Sequence, residues 1–292
     1  MTDSNSPMER DPLIKKAYAT DEYLSVRYRT HELYSQPKMD FRQWVVDTFP
    51  WRGDEWVLDI GAGPGSYFGP VQERIPHGRH VAGDLSFGMA RQARTHPGAA
   101  RIQVLNLDAQ SLPFPAQTFD VVMANHMLYH IPDIHRALSE IRRVLREDGC
   151  LVAAANSQNT MPEFETLVRR ACTLLGFPAQ DVTIGRGFAL ENGPILLARY
   201  FEAVARYDLP SALHFPEVGP VMEYLNSLRP LREPQLPEGV AWDAFVEVME
   251  KQIERLITHF GELEVHKLGG ALIATNGGGF AREYLDSLHS AV

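Results

Sequence analysis

The chain has 292 residues, 45% of them hydrophobic, and a net charge of -9. That length and apolar share suffice for a sizeable core, and the acidic balance argues against nucleic acid or an acidic membrane surface as partner. The two cysteines, Cys150 and Cys172, are too few for a disulfide framework or a cysteine-built metal site, and both read as small buried filler.

The first seven residues lack the basic, apolar, small-residue order of a signal peptide. Apolar runs fall far short of the ~20 residues that span a bilayer, so a cytoplasmic chain is expected. Residues up to about 11 are polar and read as frayed. Over 12–35, Tyr18, Tyr23, Tyr28 and Tyr34 interleave with Arg27, Arg29 and His31. A helical face through Leu24, Tyr28 and His31 fits a 3.6-residue period. Two readings stay open there: a surface helix with aromatic anchors, or a lid whose tyrosines and arginines close over a ligand bearing a ring and a carboxylate. Residues 38–49 form a cleaner helix through Phe41, Trp44, Val45 and Phe49, with Asp40 near its start and Pro50 at its end.

Trp56-Val57-Leu58-Asp59-Ile60 reads as a buried strand that stops at Gly61-Ala62-Gly63-Pro64-Gly65. Glycines at alternate positions let backbone approach a ligand. The helix that follows, with Tyr67, Phe68, Val71 and Ile75 inward, aims its first N–H groups at the same place. A second strand over 79–84 ends on Asp84, and Ser86 caps a helix containing Met89, Ala90 and Ala93. A third strand, 101–106, leads into the Asp108-Ala109 loop. The fourth covers 119–124, an amphipathic helix covers 133–146, and after Glu147-Asp148-Gly149 a fifth strand covers 150–155. Then come a helix over 161–175, a glycine- and proline-rich loop over 176–200, and two long strands, 201–215 and 262–275. Helices over 217–228 and 242–260 lie between those strands.

Strands alternating with helices predict an α/β fold: a doubly wound, mostly parallel sheet with a terminal antiparallel strand pair and a helical cap. The expected organisation is N-terminal helices or lid (1–50), a cofactor-binding core (51–157), and cap insertions plus the last two strands (158–292), continuous with the core. Right-handed crossovers bring the Gly61–Gly65 turn, Asp84, the Asp108 loop and Asn125-His126 to one sheet edge, where the ligand site must lie.

A dinucleotide site asks for G-x-G-x-x-G, but Ser66 stands at the third glycine. What remains is acid-x-Gly-x-Gly-x-Gly, with Asp59 two places ahead. Together with Gly83-Asp84-Leu85-Ser86, Asp108-Ala109 before Leu112-Pro113-Phe114, Phe119-Asp120-Val121-Val122, and Arg146-Glu147-Asp148-Gly149, the stretch over about 55–155 resembles the class I S-adenosylmethionine-dependent methyltransferases, a Rossmann-like family. The piece Leu24-Ser25-Val26-Arg27 with His31 and Tyr34 is more loosely similar to the N-terminal helices of some bacterial members.

The resemblance implies S-adenosylmethionine as cofactor. Asp59, Gly61, Ala62, Gly63 and Gly65 would meet its methionine portion, and Asp84 its ribose hydroxyls. Leu85 and Met89 would flank the adenine, with Asp108 and Ala109 at the ring edge and Asn125, Arg27 and Tyr34 completing the site. Asn125-His126-Met127-Leu128-Tyr129-His130 lies where the family reaches toward the methyl group. His126 and His130, four apart, are expected to share a helical face, and His130 or Tyr129 is the base if the acceptor needs one. Met127 stands where a zinc H-E-x-x-H motif requires glutamate, so no metal is expected. Phe188, Tyr200, His214, Phe215, Tyr224 and Trp242 are candidate walls for a small organic acceptor. The alternatives are an RNA methyltransferase, which the acidic balance opposes, a cofactor-binding protein without catalysis, and a nicotinamide oxidoreductase, which Ser66 opposes. Oligomeric state is left open.

Overall fold

The computed structural model describes residues 22–178 and 187–276. The polar opening, Tyr18 and positions 179–186 of the glycine- and proline-rich loop lie outside them. Eight strands form one sheet: β1 (Ser35–Gln36), β2 (Trp56–Ile60), β3 (Arg79–Asp84), β4 (Ile102–Asn106), β5 (Phe119–Met123), β6 (Leu145–Asn156), β7 (Ala203–Phe215) and β8 (Leu263–Thr275). Their order across it is β1-β7-β8-β6-β5-β2-β3-β4. From β6 to β4 all neighbours are parallel, whereas β8 is antiparallel to both β6 and β7. The mostly parallel sheet with its terminal antiparallel pair is the architecture expected.

Alternation along the strands explains how both faces are covered. The first helices are α1 (Glu22–Tyr34), α2 (Phe41–Asp47) and α3 (Phe68–Arg74). Val57, Val121 and Met123 bury one face against Val45 and Val46 of α2, Phe49 just beyond it, Val71 of α3 and Ile75 at its end. Leu58, Ile60 and Val122 bury the other face against Leu138, Ile141 and Val144. All three lie in α5 (Ile134–Val144), which follows α4 (Phe87–Ala93). Asp40, Ser86 and Asp133 cap α2, α4 and α5 through side-chain oxygens.

Three local features depart from the pattern reading. β6 begins at Leu145, not at 150, because Leu145 pairs with Phe119 before a register shift brings Cys150 opposite Val121. β1 adds a two-residue edge strand against Ala212 and Leu213. His126 and His130 do not share a helical face: His126 has a left-handed backbone, φ 54°, and only residues Leu128–His130 form a short 3-10 turn. Cys150 and Cys172 are buried and unpaired, as filler should be.

The last two strands do more than finish the sheet. β6 pairs with β8 only from Gly269 to Thr275, while β7 pairs with β8 along all of Leu263–Thr275. Residues 263–268, with 210–215, therefore overhang the carboxyl edge of the sheet by about 20 Å at ~3.3 Å per residue. On this overhang sits the cap: α6 (Pro162–Leu174), α8 (Val218–Ser227) and α10 (Trp242–Phe260), joined by the short α7 (Gly193–Leu197) and α9 (Arg229–Arg232). Phe164, Leu213, Phe215, Val221, Phe245, Met249 and Val265 form its own apolar core. The helix α1 packs against α8 and β7.

Candidate active site

Strand order reverses between β2 and β5, so the loops after them diverge and leave a crevice at the carboxyl edge. Cap and α1 roof that crevice. The result is a cavity of about 1110 Å³ walled by the glycine turn, the loops after β3, β4 and β5, α1 and the cap.

The turn is built by backbone. Gly61 and Ala62 N–H donate to the Gly83 carbonyl at 2.8 and 3.1 Å, tying the end of β2 to β3. Gly61 (φ 67°) is closed on its Cβ side, where an added carbon would meet the Met127 side chain at 2.7 Å. Gly63 (φ 56°) has open space there, so its bare backbone faces the cavity.

Asp84 orders the turn from the next strand. Its two carboxylate oxygens accept from Gly63 N–H (2.9 Å) and Ser86 N–H (2.8 Å). Burial nevertheless raises its pKa, which the two backbone hydrogen bonds oppose. Asp59 is 1% exposed and its Oδ2 has no hydrogen-bond partner. Burial, and then the charge of Asp84, push its carboxyl up to about 8. Asn125 accepts from Ala154 N–H through Oδ1 at 3.0 Å, while its buried Nδ2 has no partner. The Tyr67 hydroxyl, also buried and on the cavity wall, has none either. These unmet groups suit a ligand that brings both an ammonium and a carboxylate.

Farther along the same edge, Leu85 is 45% and Phe87 61% exposed, though both are large and apolar. Met89 and Ala109 lie buried behind them, and the Asp108 carboxylate is held by Gln110 N–H at 2.9 Å. An open apolar slot beside a fixed carboxylate suits a heteroaromatic ring with an amino group.

Of the residues expected at the site, Asp59, Gly61, Ala62, Gly63, Asp84, Leu85, Met89, Asp108, Ala109, Asn125, His126, Tyr129, His130 and Arg27 all line the cavity. Gly65 and Tyr34 are not in its wall. Gly65 packs on Phe68, whose ring an added Cβ would meet at 2.7 Å, and Tyr34 packs on Phe215 with ring centroids 5.0 Å apart and planes tilted by 33°. Among the candidate acceptor walls, Phe188 and Tyr224 line the cavity. Phe215 and Trp242 belong to the cap core. Tyr200 bonds His135, and His214 faces Glu262 and Glu264. Leu24, Tyr28 and His31 of α1 line the cavity. Pattern reading missed Tyr67, Phe87 and Lys267. Phe87 carried a signal, an aromatic one place after the Ser86 cap, but Tyr67 and Lys267 read as ordinary helix and strand positions.

Residues 58–153 match a family model described as a methyltransferase domain. They form a class I S-adenosylmethionine-dependent methyltransferase domain. Among curated relatives, the chain is 31% identical over 164 residues to a malonyl-acyl-carrier-protein O-methyltransferase of Geobacter sulfurreducens, covering 56% of this chain and 61% of that protein. It is 39% identical over 115 residues to a demethylmenaquinone methyltransferase of Thermobifida fusca, covering 38% and 48%. The chain thus spans less than two thirds of the length of either relative. In fold it is similar to a Haemonchus contortus phosphoethanolamine N-methyltransferase solved with S-adenosylhomocysteine, at TM-score 0.53 and 15% identity, over 90% of this chain and 59% of that one. The cofactor of such a methyltransferase domain is S-adenosylmethionine, and the orphaned Asp59 and Asn125 atoms and the open Gly63 fit its methionine end. Among the described residues no cluster suits a metal ion, and no helix is long and apolar enough to cross a membrane.

Proposed function

We propose that this chain transfers the methyl group of S-adenosylmethionine to a small organic acceptor held beneath the cap. One observation carries the reading: a single cavity of about 1110 Å³ runs from the methyltransferase-domain loops into the cap. That exceeds the ~300–1,000 Å³ typical of a one-ligand pocket and leaves room for cofactor and acceptor together. The relatives' names give different acceptors, a malonyl group on an acyl-carrier protein and demethylmenaquinone, and coverage of those proteins is partial, so the acceptor must be read from this chain's own walls.

In this reading Asp59 receives the cofactor's ammonium, Asn125 Nδ2 its carboxylate, with the bare backbone of Gly63 allowing the close approach, and Asp84 receives the ribose hydroxyls. Leu85, Phe87 and Met89 flank the adenine, with Asp108 at its amino group and the Ala109 backbone at the ring edge. The cofactor supplies a methyl group on a positively charged sulfur. The protein's task is to align the acceptor with it and exclude water, and alignment alone supplies much of the rate. His126, Tyr129 and His130 follow β5 at the junction of the two lobes and orient the acceptor. Burial holds His126 down to about 4, so its imidazole is neutral at pH 7 and serves as a hydrogen-bond partner rather than a strong base. The His130 and Tyr129 rings lie 4.4 Å apart and are the groups to accept a proton from an acceptor of high pKa.

Calorimetry should register binding of S-adenosylhomocysteine and none of NAD; the reverse result would overturn the proposal. Asp84→Ala should weaken S-adenosylhomocysteine binding by about 1.5–3 kcal/mol, the worth of a hydrogen bond to a charged group. Unchanged affinity would remove Asp84 from the ribose role.

A further inference from the structure

The cap end of the cavity contains an ammonium that the protein itself does not neutralise. Lys267 lies on the overhanging part of β8, two residues beyond Gly269, where pairing with β6 stops. Its Nζ donates to Ser35 Oγ at 2.7 Å and lies 3.2 Å from His31 Nδ1. Both partners are neutral: burial first, then the charge of Lys267, hold His31 down to about 3. Among the described residues Lys267 forms no ion pair.

The surroundings add no counter-charge. Glu165 is taken by Arg232, whose Nη2 lies 2.7 Å from it, and Asp40 by Arg42 at 3.0 Å. The Arg232 Nε, buried and on the cavity wall, has no acceptor. From α1, Arg27 also acts on His31 with positive charge. Glu32 is exposed. Asp59, Asp84 and Asp108 sit at the other end, against the glycine turn. The cavity is therefore polarised, acidic where the cationic cofactor binds and basic beneath the cap. Holding a half-buried ammonium among neutral partners is unfavourable, and burial draws Lys267 down to about 8. Around it Phe41, Met161, Phe164, Tyr224 and Leu228 supply apolar wall.

We infer that the acceptor is an organic acid whose carboxylate is bound by Lys267, with its apolar body against the aromatic wall of the cap. A single ammonium steadied by two neutral groups matches one negative charge better than two. His31 and Ser35 are positioning residues that aim the ammonium. This inference rests on the methyltransferase reading and names the acceptor class for it.

The test uses the full chain saturated with S-adenosylhomocysteine at pH 7, titrated with matched pairs: hexanoate against hexanamide, and phenylacetate against phenylacetamide. Each acid should bind at least tenfold more tightly than its amide. Lys267→Met should abolish that preference while leaving S-adenosylhomocysteine affinity within twofold, and Lys267→Arg should restore part of it. Equal affinity for acid and amide, or no measurable affinity for either, overturns the inference; the wild-type comparison decides this even if the variants do not fold. Failure to bind S-adenosylhomocysteine would instead defeat the methyltransferase reading.

Discussion

Asp59 joins the local sequence to the chemistry of the site most directly. Its place at the end of a buried strand, two residues before the glycines, is legible from the pattern. Its protonation is not, because the raised pKa of about 8 depends on burial and on Asp84, twenty-five positions away in the chain. A cationic amine favours the ionised carboxylate, so ligand binding below pH 8 should expel a proton from Asp59. Calorimetry of S-adenosylhomocysteine binding at pH 7, in buffers of different ionisation heat, should report release of about one proton. Asp59→Asn should abolish that release and weaken binding. Buffer-independent heats for the wild type would show that Asp59 is already ionised or stands apart from the ligand.

At the scale of elements, the cap depends on the β7–β8 overhang and on an ion pair between a buried guanidinium and a half-buried carboxylate. Arg232 is 3% exposed and bonds Glu165 across from α9 to α6. Glu165→Gln leaves that guanidinium without its counter-charge and should destabilise the fold by about 3 kcal/mol in urea melts. The double replacement Glu165→Leu/Arg232→Met should recover most of the loss, since an apolar pair needs no desolvated charge. A single variant as stable as wild type would show that water reaches the pair. The long strands and helices of the cap were readable from apolar periodicity. The early start of β6 was not, because Arg146-Glu147-Asp148-Gly149 has the composition of a turn while Leu145 opposite Phe119 keeps it in the sheet. The same blindness produced the helical pairing of His126 with His130: four-residue spacing says nothing about a left-handed backbone at His126.

Across the whole molecule, histidines withdrawn from water set the acid side of the stability curve, His80 in the core and His31 and His126 half-buried in the cavity wall. Burial holds His31 down to about 3 and His80 and His126 down to about 4. A pKa lower in the folded than in the unfolded chain means stability that is full above about 6.5 and is lost as pH falls toward 4. Asp59 and Asp84, whose pKa values are raised, act in the opposite sense: their contribution falls as pH rises above the unfolded carboxylate range, for Asp59 up to about 8. With three histidines opposing two carboxylates, melting temperature should drop between pH 6.5 and 4.5. His80 isolates the effect, because both its ring nitrogens are buried without partners and it lines no part of the cavity. His80→Leu should flatten the pH slope and add about 1 kcal/mol at neutral pH, as removing unmet polar groups does. An unchanged slope would show that His80 is already solvated.

Local chemistry determined the methyltransferase core of this protein. Strand alternation, a glycine turn that backbone sterics demand, and acids at strand ends are all short-range properties, and a parallel sheet gathers them at one edge whatever the cap does. Tertiary structure alone decided the acceptor lobe. Lys267 comes to His31 across 236 positions of chain, carried there by a hairpin that outruns its neighbour, and no local pattern records how far one strand extends past another. Charge compensation is likewise a property of assembled neighbours: the sequence holds 37 acidic residues that could meet Lys267, and folding determines that its partners, His31 and Ser35, are neutral.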